Sequence, residues 1–234
     1  MTKIVDNFDN IYSIINWIYQ SLKIKWNIKN KEDIYNYEFF IQIMTRNKDL
    51  DKNSQDKSKV ILNLYCTGID WIKKREKLIK LVCDEYKARA YIRLQPKNKE
   101  KIIYKIISTA SQWLYEKNYN GWDKKISAKS LLNTVYWKYW NDIETYVIDI
   151  DFWKEVKEKI KIEKVNEILQ MLEGVFPTDK IIHGTIKTVN WYHIITSWFN
   201  LHQFLDKTKY LKDWKIIEDL WVKKNNPTLI YANV

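Results

Sequence analysis

Two periodicities alternate along the first half of the chain. Apolar residues recur every three or four positions between residues 8 and 24, which predicts an amphipathic helix. Aromatic and β-branched residues then crowd residues 37–45 and 60–65, which predicts two strands joined by the polar stretch RNKDLDKNSQDKSK. Helical spacing over about 72–82, a strand at 88–94 and a helix over about 98–116 follow. The pattern after the first helix is therefore strand, strand, helix, strand, helix.

The second half shows the same alternation after a break. Residues 117–143 have no single period and are predicted to be an irregular or short-helical insertion. A strand at 145–152, a helix at 153–173, strands at 181–189 and 192–197, a short helix at 200–206 and a last strand at 228–231 are predicted next. We therefore expect an α/β (α+β) protein, with an N-terminal helical segment (1–36) and an α/β core (37–234).

Composition narrows the class of protein. Aromatic residues make up 15% of the chain, against four glycines and three prolines, which excludes a disordered or collagen-like chain. The formal net charge of +11 comes almost wholly from lysine, because only four residues are arginine. That charge indicates a polyanionic partner or a codon bias, and composition does not decide between them.

Targeting and metal-binding signals are weak. No apolar run approaches the roughly 20 residues that span a bilayer, and the first ten residues do not resemble a signal peptide, so we expect a cytoplasmic protein. Cys66 and Cys83 belong to no C-x-x-C pair and are predicted to be buried thiols. His183, His193 and His202 lack the spacing of a zinc site.

The strongest chemical pattern is the strand YVIDIDF. Alternation places Val147, Asp149 and Asp151 on one face, with the Cα atoms of the two acids about 6.5 to 7 Å apart. Two such carboxylates suit Mg²⁺ or Mn²⁺ ions that bridge substrate phosphates. The alternative is a solvated strand face that carries two acids.

Two further patterns lie downstream. In KTVNWYHIIT, Asn190 and Trp191 are predicted to form a tight turn, with His193 near the start of the next strand, where it could donate to a phosphate. A histidine with its hydrogen bonds satisfied elsewhere is the alternative. In VKKNNPTLIY, a basic turn leads into a strand, with Glu218 and Asp219 just upstream.

Together these patterns resemble the catalytic core of archaeo-eukaryotic primases and primase-polymerases, and most closely the small phage-encoded members. Segments similar to FFIQIMTRNKD, CDEYKARAYIRLQPKNKEKI and NNPTLIY recur in those proteins, so the resemblance covers short islands over residues 37–231. It implies a primase-like core with an RRM-like half that carries the acids, two metal ions, and template-directed nucleotidyl transfer.

The resemblance assigns roles residue by residue. Asp149 and Asp151 match the metal-binding catalytic pair, His193 matches the histidine that contacts the triphosphate, and Asp219 matches the third acid, with Glu218 as the alternative. Lys187, Thr188 and Asn190 join His193 as nucleotide-binding candidates. Trp191 departs from the pattern, because the family has a small residue there, usually glycine. The indole could occlude the nucleotide pocket or stack on a base.

Basic residues supply the candidates for nucleic-acid contacts. The predicted contacts are Arg46, Lys48, Arg89, Arg93 and Lys224, with Lys223 as a further candidate; two arginines in the strand ARAYIRL are more informative than any lysine cluster. A solvated face is the alternative. One competing motif, His183-Gly184-Thr185, is typical of two-histidine phosphodiesterases, but no second H-x-T or H-x-S accompanies it.

Three functions follow, from different classes. The leading one is Mg²⁺- or Mn²⁺-dependent nucleotidyl transfer by a phage-type primase-like enzyme in the host cytoplasm, with nucleoside triphosphates and single-stranded nucleic acid as partners, alongside phage replication or host proteins. The alternative is a primase-fold module without turnover that binds single-stranded nucleic acid or nucleotides as a replication accessory or counter-defence factor. The third is an aromatic-rich structural protein whose charge is compositional.

Overall fold

Two antiparallel sheets form the framework of the protein. The computed structural model describes residues 3–26, 37–46, 58–120, 127–138, 144–209, 216–224 and 226–233. Over these residues the chain contains six helices and nine strands, so the predicted α+β class is confirmed. None of the described helices is both long and apolar enough to cross a membrane.

The first sheet has five strands. In chain order they are β1 (Ile4–Asp6), β2 (Tyr37–Met44), β3 (Val60–Cys66), β4 (Arg89–Asn98) and β9 (Thr228–Asn233). Their spatial order is β1-β9-β4-β2-β3, and all neighbours are antiparallel. The last strand of the chain thus lies between the first strand and β4.

The second sheet is built from one continuous stretch of the chain. Its elements are β5 (Tyr146–Phe152), α5 (Glu158–Glu173), β6 (Ile182–Lys187), β7 (Trp191–Thr196), α6 (Leu201–Thr208) and β8 (Ile217–Lys224). The strand order is β6-β7-β5-β8, again fully antiparallel. A β-α-β-β-α-β chain folded into this sheet has the ferredoxin-like arrangement. The central strand β5 carries Asp149 and Asp151.

One core joins the two sheets. The helices α1 (Phe8–Trp26) and α2 (Gly68–Tyr86) cover one face of the first sheet, where alternate residues of β2 and β4 are apolar and fully buried. The same apolar cluster includes Val147, Ile186 and Ile195 of the second sheet. Since α1 contributes to this shared cluster, the N-terminal helix packs directly against the rest of the protein.

The outer faces are covered by the remaining helices. On the second sheet, α5 and α6 bury a separate apolar cluster that includes Ile148 and Ile150. On the first sheet, α3 (Lys99–Asn120) and α4 (Ala128–Lys138) pack against Phe40 and Tyr65. On the same face of the first sheet, Gln42 and Met44 of β2 face the polar residues Asp149 of β5 and His193 of β7.

Several element boundaries differ from the prediction. The helix predicted to begin at residue 153 begins at Glu158, because residues 153–157 form a turn in which the Trp153 N–H donates to the Ile216 carbonyl. The strand β8 was not predicted, because a bulge opposite Asp151 and Phe152 breaks its alternation. The short β1 was also missed, and β4 extends past residue 94 to Asn98. Residues 117–143 were predicted to be irregular or short-helical, and the described part of that stretch is mostly helical, as α4 and the end of α3.

Candidate functional site

A cleft of about 280 Å³ lies between the two sheets. Strands β2 and β4 supply one wall, strands β5, β7 and β8 supply the other, and the turn before β9 closes one end. The lining side chains belong to Phe40, Gln42, Met44, Arg46, Arg89, Tyr91, Arg93, Asp149, Thr188, Trp191, His193, Lys223, Asn226, Pro227 and Leu229. The volume is near the lower end of the range for small-molecule sites.

The wall on the first sheet, here called the cationic wall, carries Arg46, Arg89 and Arg93. Strand alternation explains its composition, because Arg89, Tyr91 and Arg93 point away from the face that α1 and α2 cover. Arg46 follows β2 and its Nη1 donates to the Tyr91 hydroxyl at 3.2 Å. Burial lowers the pKa of Arg93 to about 10, so its guanidinium remains charged at neutral pH.

Three acids of the second sheet, here called the acidic wall, face the first sheet: Asp149 lines the cleft, and Asp151 and Asp219 lie next to it. These three acids share one face of the second sheet, because Asp151 is the direct cross-strand partner of Asp219 on β8 and Asp149 lies two residues before it. Glu218 lies in the bulge beside this pair. The register therefore places Asp219, and not Glu218, opposite Asp151.

Asp149 is held by two cationic or polar partners. His193 faces it across β5 and β7, with His193 Nε2 3.2 Å from Asp149 Oδ1, and Lys223 Nζ lies 3.1 Å from Asp149 Oδ2. Burial alone would raise the pKa of Asp149, but the hydrogen bonds and charges of His193 and Lys223 outweigh it and hold the pKa below its ordinary value. Asp149 is thus an ionised, compensated carboxylate.

His193 has both ring nitrogens engaged. Its Nδ1 lies 2.8 Å from the hydroxyl of Thr228, which is fully buried, and its Nε2 faces Asp149. Thr228, His193, Asp149 and Lys223 therefore form a continuous series of polar contacts across four strands, β9, β7, β5 and β8.

Asp151 has a different environment from Asp149. Burial, together with the neighbouring charges of Asp149 and Asp219, raises its pKa to about 7. Its Oδ1 is buried and has no hydrogen-bond partner among the described residues. Asp219 Oδ1 accepts from the backbone N–H of Leu220 at 3.0 Å. Asp151 is therefore the uncompensated member of the acidic wall.

The acidic wall does not fit a divalent cation as it stands. A shared Mg²⁺ or Mn²⁺ needs free carboxylate oxygens at about 2.0 to 2.2 Å from the metal, whereas Asp149 Oδ2 is already in contact with the Lys223 ammonium. Asp149 Oδ1 has no hydrogen-bond partner among the described residues, but His193 Nε2 lies 3.2 Å from it. Among the residues that the structure describes, no group of three or more His, Cys, Asp or Glu side chains is placed to hold a metal ion.

The cleft brings together half of the predicted site residues. Arg46, Arg89, Arg93, Asp149, Thr188 and His193 all line it. Asp151 and Asp219 lie next to it on the same sheet face, without lining it. Trp191, the cross-strand partner of Asp151 on β7, also lines the cleft.

Other predicted site residues lie outside the cleft and have other contacts. Lys187 pairs with Glu158 at 2.5 Å, and Lys224 pairs with Glu144 at 2.6 Å. Asn190 is exposed, and its Oδ1 accepts from Lys3 at 3.4 Å. Lys48 lies outside the described residues.

Several lining residues escaped the sequence analysis. Tyr91 could have been found, because it stands between Arg89 and Arg93 at the period of a strand. Gln42 could have been found in the same way on β2. Thr228, which does not line the cleft but contacts His193, could not have been found, because that contact joins strands of different sheets.

The buried cysteines and His183 take no part in the cleft. Cys66 and Cys83 are free and buried, as predicted, and burial raises the pKa of both thiols. His183 is buried on β6, where burial lowers its pKa to about 4. Neither of its ring nitrogens has a hydrogen-bond partner among the described residues, and it does not line the cleft.

Comparison of the chain with protein-family models, with curated proteins and with solved structures gives no match. Function is therefore inferred from the geometry of the cleft and from the residues that line it.

Proposed function

We propose that the cleft binds the phosphates of a nucleoside triphosphate or of single-stranded nucleic acid. One observation carries this proposal: three of the four arginines in the chain converge on a single cleft, although they come from two different strands or strand ends. Arginine forks suit phosphate oxygens, because they donate two parallel hydrogen bonds and stay charged at any physiological pH.

The neutral residues of the cleft suit the rest of a nucleotide. Tyr91 and Trp191 stand on opposite walls, so either ring is available to stack on a base. Gln42 donates from Nε2 to Asn63 Oδ1 at 3.2 Å, which fixes its amide beside Tyr91. A cleft with arginines, aromatic rings and an oriented amide has the components of a nucleotide site.

The resemblance to archaeo-eukaryotic primases is part of this proposal. It is supported by the ferredoxin-like second sheet, by the acids on its central strand, and by a facing sheet that carries the arginines. The corresponding role is that of a primase-fold module in the cytoplasm of a phage-infected host, with phage replication or host proteins as further partners.

Metal-dependent nucleotidyl transfer is a second candidate. The pairing of Asp151 with Asp219, two residues from Asp149, favours it, because the clustered charge raises the pKa of Asp151 to about 7. An Mg²⁺ or Mn²⁺ ion would neutralise that charge. Its test is incorporation of labelled nucleotides on primed and unprimed single strands, which Asp151→Asn should abolish.

Binding is tested by titrating a fluorescent nucleoside triphosphate into the full chain in EDTA. We expect saturable binding that Arg93→Met weakens about tenfold or more, because each hydrogen bond to a charged group contributes about 1.5 to 3 kcal/mol. Arg75→Met is the matched control, since Arg75 is the fourth arginine and stacks on the Trp71 ring at 4.9 Å, outside the cleft. Equal affinities for Arg93→Met and Arg75→Met would refute the proposal. A single-stranded oligonucleotide that displaces the nucleotide would place both ligands in the same cleft.

A further inference from the structure

Lys223 holds a particular position in the cleft. It lies on β8, opposite Val147, and its side chain lines the cleft while remaining 46% exposed. Its ammonium nevertheless lies 3.1 Å from Oδ2 of Asp149, whose side chain is only 7% exposed. A solvent-accessible cation is thus in contact with the most buried acid of the acidic wall.

The Lys223 contact opposes a divalent cation at Asp149. A metal ion bound at Oδ2 at about 2.0 to 2.2 Å would lie close to the ammonium, and two cations at that separation repel each other strongly in a partly buried site. His193 holds the other oxygen at 3.2 Å. Asp149 thus has the Lys223 ammonium at Oδ2 and the His193 ring beside Oδ1, and Oδ1 has no hydrogen-bond partner among the described residues.

Asp151 and Asp219 are the two other acids of the acidic wall. Asp151 Oδ1, like Asp149 Oδ1, has no hydrogen-bond partner among the described residues, and Asp219 is the cross-strand neighbour of Asp151. Divalent cations prefer such carboxylate oxygens. The ammonium at Asp149 is therefore the feature that separates this acid cluster from a metal site.

We propose that Lys223 takes the place of a divalent cation at Asp149, so that the cleft binds phosphates without a metal ion. Removal of the Lys223 charge should then create a site for Mn²⁺ or Mg²⁺ at Asp149 and Asp151. Phosphate binding without a metal ion rests on the proposed phosphate-binding function. The metal site created by removal of the Lys223 charge depends only on the acids.

The test is a titration of Mn²⁺ alone into the full chain, followed by electron paramagnetic resonance or calorimetry. We expect Lys223→Met to bind Mn²⁺ about tenfold or more tightly than the wild-type protein, because a neighbouring like charge is removed. Lys223→Arg, which keeps the charge, should bind no better than wild type. Adding Asp149→Asn to Lys223→Met should abolish the gain.

Lys164→Met is the matched control. Lys164 Nζ lies 2.6 Å from Glu167 Oε2 on α5, so this variant also frees a carboxylate from an ammonium, but far from the acidic wall. It should not gain Mn²⁺ binding. Because the Lys223 side chain is half exposed, its replacement should preserve the fold, and Lys223→Gln provides a second neutral variant.

A second measurement separates this inference from the proposed function. Mn²⁺ also binds the free triphosphate, so the informative quantity is the difference between the two proteins. The change in affinity for the fluorescent nucleoside triphosphate between EDTA and Mn²⁺ should be at least about tenfold more favourable in Lys223→Met than in the wild-type protein. Wild-type Mn²⁺ affinity equal to that of Lys223→Met would overturn the inference. Absence of nucleotide binding, together with the gain of Mn²⁺ binding in Lys223→Met, would overturn only the phosphate-binding function.

Discussion

The two walls of the cleft differ in how their charges are balanced. The cationic wall places Arg89 and Arg93 on either side of Tyr91 in one strand, and Arg46 is held by the neutral Tyr91 hydroxyl. The acidic wall has its own cations, since His193 and Lys223 both contact Asp149 from the same sheet. Asp149 is therefore compensated within its own sheet.

This difference has a consequence for ligand binding. An anionic ligand that contacts the arginines would meet repulsion from an exposed carboxylate on the facing wall. Because Asp149 is compensated by Lys223 and His193, that repulsion is reduced where the wall lines the cleft. The uncompensated Asp151 lies next to the cleft and does not line it.

The largest expected effect comes from breaking the compensation at Asp149. Asp149→Asn leaves Lys223 without its anion and removes the charge beside His193, and loss of a hydrogen bond to a charged group costs about 1.5 to 3 kcal/mol. Urea unfolding at pH 7 measures the loss. Glu167→Gln, which breaks the exposed pair with Lys164, should cost less than about 1 kcal/mol. Equal costs would mean that Asp149 is not the centre of a buried network.

The next largest effect concerns Trp191, which lines the cleft on the side of the second sheet. If Trp191 stacks on a base, Trp191→Ala should weaken nucleotide binding by about 1 to 3 kcal/mol. If the indole instead occludes the cleft, the same change should strengthen binding, so a titration in EDTA gives opposite signs. Trp17→Ala is the control, because Trp17 is exposed on α1 away from the cleft.

Strand alternation explains the part of the site that could be predicted from sequence. A period of two places Asp149 and Asp151 on one face of β5, and it places Arg89 and Arg93 on one face of β4, whatever the strands pair with. The order of helices and strands likewise follows from local periodicity, which is why the α+β class was predicted.

Cross-strand neighbours could not be predicted in this way. The contacts of His193 with Asp149 and Thr228 depend on which strands pair and in which register, and residues 149, 193 and 228 are far apart in the chain. Because of its bulge, β8 lacks the regular alternation of a strand, so the strand that carries Asp219 and Lys223 was not predicted. The sequence therefore identified candidate groups but not the contacts that set their charge.

Asp151 and Asp149 should change the free energy of unfolding in opposite directions as the pH rises. The pKa of Asp151 rises from 3.8 to about 7 on folding, so the native state binds more protons than the unfolded state between these values. The free energy of unfolding should therefore fall as pH rises from about 4 to 7 and then level off. Asp149, whose pKa is lowered on folding, contributes stability that is lost as pH falls below its ordinary value.

Asp151→Asn should remove that decline. In EDTA above pH 7 we expect the variant to be more stable than wild type by about 1 to 2 kcal/mol, less than the full shift implies because the carboxylate keeps some solvent contact. The difference between the two proteins should vanish near pH 4. A variant less stable than wild type at pH 8 would show that the Asp151 charge is compensated.

The smallest effects compare two residues of the turn between β6 and β7. Thr188 lines the cleft, and its hydroxyl accepts a hydrogen bond from the backbone N–H of Trp191 at 3.1 Å. Thr188→Ala removes this bond, so it should lower the free energy of unfolding by about 1 kcal/mol. It should also weaken nucleotide binding, because Trp191 is held less firmly. Asn190 is exposed and does not line the cleft, so Asn190→Ala should change stability by less than about 0.5 kcal/mol and leave nucleotide affinity unchanged. Thermal unfolding and the EDTA titration measure both. A loss of affinity in Asn190→Ala that matches the loss in Thr188→Ala would mean that the ligand extends beyond the cleft and over the turn, as expected if Asn190 binds the nucleotide in the way that the resemblance to primases implies.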